Sequence, residues 1–231
     1  MTTDSLPDSL REAIGKDLQP VRPLPPVWVR TLFAVAVAAV CLGVLIVVFK
    51  LSLRPDMDQI PMWLSWGCTL IQLTIGVVLL GMALREAVPG HGVPAGMVAT
   101  AVGTGVLMQI LVGIATWMHS PGMPYIPGQA LQKGIGCASH DTALALPALV
   151  VTLWLVFRAL PLRPSVAGLL GGTGAAVTAD AVIHILCPMS DLRHVLVWHT
   201  GVIIGLLVIG SVAGKLWEKR RVGKSVQTLE R

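Results

Sequence analysis

Four cysteines and six histidines are spread over 231 residues, and the second half of the chain groups several of them. Cys137, His140 and Asp141 stand at i, i+3 and i+4. Asp180, His184 and Cys187 stand at i, i+4 and i+7. Each set shares one face if the backbone is helical. His194 and His199 follow closely, and His119 precedes them. Two chemistries fit. A dithiol on the oxidising side of a membrane can close to a disulfide and so register an oxidant. Thiolate with imidazole can bind Cu(I) or Zn(II), because soft ligands select such metals; on that reading Cys137, His140, His184 and Cys187 are the ligands. Met57, Met118, Met123 and Met189 lie near the same end and lean the choice toward copper. A structural disulfide among satisfied polar residues also fits the spacing. Cys41 and Cys68 have no polar neighbours at helical spacing and read as small core residues. No catalytic residue is assigned, and the chain is not expected to be an enzyme.

Apolar helices must position these groups. Thr31 to Phe49, Ile60 to Leu84 and Val93 to Met118 contain no Asp, Glu, Lys or Arg. A fourth stretch runs from about Cys137 to Phe157, a fifth from Ser165 to Cys187 and a sixth from Val195 to Gly214. Each is close to the 20 or so residues that cross a hydrocarbon core of roughly 30 Å. Backbone amides in lipid must be satisfied within the segment, which requires helices. The expected fold is therefore all-α, a polytopic bundle of six transmembrane helices. A mean hydropathy of +0.76 with 13% charged residues sets the chain apart from soluble domains of its length. Cys137 lies 24 residues before Pro161, in the turn between the fourth and fifth helices, and Cys187 lies 26 after it. At 1.5 Å per residue their depths differ by only about 3 Å, so the two thiols can meet near the outer surface.

The net charge of +5 does not point to nucleic acid, because of where it sits. With the N-terminus in the cytoplasm, thirteen of the 17 Lys and Arg fall inside: Arg11, Lys16, Arg22, Arg30, Arg85, Arg158, Arg163, Lys215, Lys219, Arg220, Arg221, Lys224 and Arg231. Lys50, Arg54, Lys133 and Arg193 fall outside. This asymmetry places both termini in the cytoplasm. Residues 1–26 are polar and proline-rich, without the apolar run of a cleavable signal peptide. Residues 27–214 form one transmembrane domain with loops too short for a further domain. Short loops make consecutive helices antiparallel neighbours. Residues 215–231 read as a basic cytoplasmic tail held by lipid headgroups.

The N-terminal segment carries its own signal. Leu6, Leu10, Ile14 and Leu18 recur every four residues as one helical stripe, and Pro20, Pro23, Pro25 and Pro26 then impose an extended spacer. Such a short helix is marginal alone in water, and its stripe wants a partner groove. A helix lying on the membrane and plain disorder are the alternatives. Asp4, Asp8, Glu12 and Asp17 against Arg11 and Lys16 make the segment acidic, whereas anionic lipid prefers a basic helix. An acidic helix suits a basic protein partner, such as one that itself binds DNA.

Gly168, Gly172 and Ala176 form one row of small residues at four-residue spacing, and Gly171, Ala175 and Ala179 another. They let helix backbones approach closely and read as packing inside the bundle rather than as a dimer seam.

Three stretches resemble the NrsF-type membrane anti-sigma factors, negative regulators of an extracytoplasmic-function (ECF) sigma factor in Proteobacteria. They are Leu10 to Leu24; Gly134-Ile-Gly-Cys137 with the later Arg163-Pro164; and Gly171-Gly-Thr-Gly-Ala-Ala with Asp180, His184-Ile-Leu-Cys187-Pro188 and Leu196-Val-Trp198-His199. The resemblance implies a multi-pass protein of the bacterial inner membrane whose N-terminal segment sequesters the ECF sigma factor, without contacting nucleic acid directly. Release would follow a metal or redox stress sensed by Cys137 and Cys187. The competing classes are a membrane thiol oxidoreductase, which normally needs a second redox pair, and a metal- or haem-binding membrane protein using His119, His184 and His199.

The topology is tested by reporter fusions. A cytoplasmic reporter is expected to be active at Arg231, and an exported one near Met57, Tyr125 and Asp191; an exported C-terminus overturns the arrangement.

Overall fold

The structure, a computed structural model, describes residues 8, 9, 12, 23–120 and 126–229. Among the described residues there is no strand, and six helices are long and apolar enough to cross a membrane: α1 Val27–Val48, α2 Trp63–Glu86, α3 Ala95–His119, α4 Ala130–Arg158, α5 Pro164–Leu186 and α6 Leu192–Arg221. They coincide with the six apolar stretches. α4 begins at Ala130, so Cys137 lies two turns inside the helix rather than at its mouth. The basic stretch that follows Gly214 continues the last helix as far as Leu229. The stripe of Leu6, Leu10, Ile14 and Leu18 lies outside the described residues.

α5 is the centre of the bundle. Pro164 sits in its first turn, where a missing N–H costs nothing. From there to Ile183 nearly every side chain is buried. The reason is its small residues. A Cβ on Gly168 would run into the carbonyl oxygen of Gly210, and one on Gly172 into that of Leu206, so α5 and α6 touch backbone to backbone. Gly210 and Gly214 return the contact against the carbonyls of Gly168 and Pro164. On its other flanks Gly174 meets Gly76 of α2, and Gly171 meets Thr152 of α4 and Ala83 of α2. Both rows of small residues therefore pack inside the bundle. The outer faces of the helices are aliphatic: Val40, Val47, Leu70 and Val150 are 60% to 75% exposed.

One end of the bundle is held by three charged side chains. Arg30 at the start of α1 is buried and donates to the carbonyls of Leu84 and Leu155, at 3.4 and 3.1 Å. Both carbonyls belong to the last turns of their helices, α2 and α4, where no intrahelical donor remains and the dipole favours a cation. Beside them Arg163 grips Glu86 through two bonds of 2.7 and 2.8 Å. Glu86 also accepts from the Val93 amide and Arg163 donates to the Val93 carbonyl. The α2–α3 and α4–α5 turns are thus locked together. The thiols lie at the opposite end.

The backbone contact makes a signed prediction. Gly172→Ala is expected to force α5 from α6 and cost about 1–3 kcal/mol, as overpacking does. Gly103→Ala, with nothing near its new methyl group, is expected to stabilise α3 by up to about 1 kcal/mol through helix propensity. Thermal unfolding in detergent separates the two; equal shifts would refute the α5–α6 contact.

Candidate functional site

The matched depth of the two cysteines is realised. Cys137 on α4 and Cys187, immediately after α5, bring their sulfurs to 3.3 Å. Both are free thiols, and a disulfide would need them at about 2.05 Å. α6 adds two imidazoles. His194 Nε2 lies 3.7 Å from the Cys187 sulfur, and His199 is buried beside it. One donor atom from each of Cys137, Cys187, His194 and His199 lies within 4.8 Å of all the others.

Local backbone choices build this cluster. His194 and His199 are five residues apart, which in an α-helix turns the rings about 140° away from each other. The chain instead makes a π-turn over Val195–His199, with the Thr200 amide bonded to the Val195 carbonyl. That wider turn brings residues five apart to one face, and the ring centroids are 5.4 Å apart. Asp191 starts the helix by accepting from the amides of Arg193 and His194. α4 approaches closely because Gly134, one turn before Cys137, leaves room for the Trp198 indole; a Cβ there would run into the ring.

A buried polar chain stands behind the cluster. The Asp180 carboxylate bonds His199 Nδ1 at 2.9 Å. Gln72 on α2 donates to Asp180 at 3.3 Å and to Gln109 on α3 at 2.7 Å. Nδ1 is engaged, and Nε2 is buried with no hydrogen-bond partner among the described residues; a ring nitrogen of His199 lies within 4.8 Å of both sulfurs. Asp141 is fully buried beside Asp180 and His199, and neither of its oxygens has a hydrogen-bond partner there either.

The match to known proteins agrees with the family resemblance read from the sequence. A family model for negative regulators of sigma F, NrsF, covers residues 15–218. The chain belongs to the NrsF family. It is 26% identical over 222 residues to the anti-sigma-F factor NrsF of Caulobacter vibrioides, an alignment spanning 93% of this chain and 98% of that protein. No solved structure matches.

In this NrsF-family chain His140 and His184, the expected ligands, have other partners, and the imidazoles beside the thiols are His194 and His199. His184 is held between the hydroxyls of Thr69 and Thr116, at 3.2 and 3.0 Å, so both ring nitrogens are engaged. Cys187 keeps helical register, its amide bonded to the Ile183 carbonyl, but the His184 ring is taken up by the two threonines instead of the thiols. His140 packs against Phe49, ring centroids 5.3 Å apart. His119 bonds its own helix at the Ala115 carbonyl and meets Trp63 edge-on. Met189 lines a small cavity beside Cys187, while Met118 faces outward; Met123 lies outside the described residues.

Arg54 closes the thiol end. Its guanidinium donates to Asp56 at 2.7 and 2.8 Å, to Ser120 at 2.9 Å and to Ser190 at 2.7 Å. Beneath it a cavity of about 20 Å³ is bordered by Asp180, Cys187 and His199, room for about one water. Burial pushes the Asp56 carboxyl up, but hydrogen bonds from Arg54 and Ser120 and the Arg54 charge outweigh it and hold it at about 2.

A carboxyl held below its ordinary value adds stability above that value and loses it as pH falls through the folded one. The thermal midpoint of the detergent-solubilised protein is therefore expected to fall between about pH 4 and pH 2. Asp56→Asn should flatten that fall; equal slopes would remove the Arg54–Asp56 pair from the account.

Proposed function

We propose that the chain is an inner-membrane anti-sigma factor. Its N-terminal segment, through Leu6, Leu10, Ile14 and Leu18, sequesters an ECF sigma factor in the cytoplasm. A metal or oxidant reaching Cys137 and Cys187 on the periplasmic side releases it. Family membership supports the anti-sigma role, which is regulatory rather than enzymatic. The aliphatic exterior and the charge asymmetry support the membrane location and the orientation. The observation that carries the sensing part is the 3.3 Å approach of two free thiols contributed by different helices. A signal that draws them together changes how α4 sits against α5.

The fold offers a path from that event to the cytoplasm. α5 and α6 are fused by backbone contact, so α4 is the member that can move against them. Pro147 lies inside α4 and removes one intrahelical hydrogen bond, which makes bending cheap there. At its far end α4 holds Arg30 of α1 through the Leu155 carbonyl. Arg30 is one turn into the helix that carries the sigma-binding segment. The oxidoreductase alternative lacks support at the second pair it needs: Cys68 is packed among Ile60, Leu64 and Val112.

Leu10→Asp or Ile14→Asp should weaken sigma binding by about 2–3 kcal/mol, roughly a hundredfold, and switch on sigma-dependent transcription without stress. Repression that survives deletion of residues 1–20 would exclude this segment as the binding element. Cys137→Ser with Cys187→Ser should keep repression and abolish induction, while Cys41→Ser and Cys68→Ser behave as wild type. Normal induction in the double variant would make the thiols structural.

A further inference from the structure

We propose that Cys137, Cys187, His194 and His199 form a four-coordinate site for a thiophilic divalent cation of the zinc class, with Asp180 as the positioning residue that aims His199. The proposal rests on the thiol end being the sensing face and gives its ligand a chemical class.

The donor set is the first argument. Two thiolates and two imidazoles are the tetrahedral combination that selects a zinc-like ion. Bonds of about 2.3 Å to sulfur and 2.0–2.1 Å to nitrogen place tetrahedral donors roughly 3.3–3.8 Å apart. Here the sulfurs are 3.3 Å apart, His194 Nε2 is 3.7 Å from Cys187, and no donor pair exceeds 4.8 Å. Closure needs side-chain movements of about 1 Å. A single Cu(I) is content with the two thiolates and would leave the paired imidazoles without a role, which turns the choice away from copper.

His199 is the second argument. Its Nδ1 is bound to a buried carboxylate, which fixes the ring and raises the basicity of the other nitrogen, as carboxylates behind metal-bound histidines do. Its Nε2 is buried with no hydrogen-bond partner among the described residues, and a nitrogen of this ring lies within 4.8 Å of both sulfurs. The π-turn is the third. It interrupts α6 only over Val195–His199 and has the effect of placing His194 beside His199. Charge is the fourth: two thiolates neutralise a divalent ion, so the filled site adds no net charge to a region of low dielectric.

The test uses the full-length protein, reduced, in detergent, titrated with Co(II) as an optical probe of zinc-class sites. One equivalent should give tetrahedral d–d bands with sulfur-to-metal charge transfer, displaced by Zn(II). His194→Gln and His199→Gln should each weaken binding at least about tenfold, and Asp180→Asn about 10- to 100-fold with the spectrum retained. His140→Gln should leave both affinity and spectrum unchanged. X-ray absorption on the Zn(II)-loaded wild type, which needs no variant to fold, should show two sulfur and two nitrogen donors. The absence of a tetrahedral spectrum, a different donor count, or binding indifferent to both histidines overturns the site. If Co(II) does not bind yet the double cysteine variant loses induction, the site falls and thiol sensing stands. If Co(II) binds as expected yet that variant responds normally, the site stands and the sensing reading falls.

Discussion

The architecture depends on the backbone-to-backbone contact between α5 and α6. Within a bilayer the aliphatic side chains of neighbouring helices gain little by touching each other rather than lipid, so association relies on close packing. Gly168, Gly172, Gly210 and Gly214 remove the side chains from that interface, and each of them faces a carbonyl that a Cβ would strike. The helix so gripped becomes the buried core strut of the molecule. Its position fixes where Asp180 and Cys187 stand, and α6, held against it, presents His194 and His199 at the same level.

A second constraint follows from the first. Once α5 is central, its polar residues cannot reach water, and an unpartnered polar group in such a place is costly. Asp180 is therefore served from two sides, by His199 and by Gln72, and Gln72 is in turn tied to Gln109. His184 is served by two threonines. Against this background of satisfied groups, the atoms left open are informative. Gln72 Oε1, Thr152 Oγ1, Thr200 Oγ1, His199 Nε2 and both Asp141 oxygens are buried without a hydrogen-bond partner among the described residues, and of these His199 belongs to the cluster that holds the two unbonded thiols.

The fold was largely legible in the sequence, because helices in lipid announce themselves by length and apolar composition. Counting residues from Pro161 sets Cys137 and Cys187 at one depth, since a helical rise is nearly constant, but the 3.3 Å approach itself is legible only in the structure. The histidine partners were not legible, for two local reasons. Helical spacing sets His184 and Cys187 three residues apart at the end of α5, but it cannot show that Thr69 of α2 and Thr116 of α3 engage both nitrogens of the His184 ring. An α-helical period applied to His194 and His199 sets them apart, and only the π-turn puts them together. Gln72 and Gln109, bonded to each other, have a signal of their own, since an amide in an otherwise apolar stretch points to a buried partner. Arg54 and Asp56, two residues apart in a short loop, left no pattern that their roofing role could be read from. The segment with Leu6, Leu10, Ile14 and Leu18 is legible in sequence alone.

The molecule is mechanically asymmetric, and this bears on how a chemical event at one end is felt at the other. Three helices contribute to the cluster, but they are not equivalent. α5 and α6 meet through rigid backbone and move as one body. α4 meets α6 through Gly134 against an indole ring, carries a proline in its middle, and ends on a carbonyl that accepts from Arg30. α4 packs Leu144, Ala145, Ala148 and Leu149 against Ala175, Ala176 and Ala179 of α5 through side chains rather than backbone, and its last turn is tied to the start of α1. The clamp of Glu86 with Arg163 ties together the turns on either side of it. On the proposed function, a change between Cys137 and Cys187 would bear on α4, whose far end is tied to Arg30 through the Leu155 carbonyl, a few residues from the prolines that precede α1.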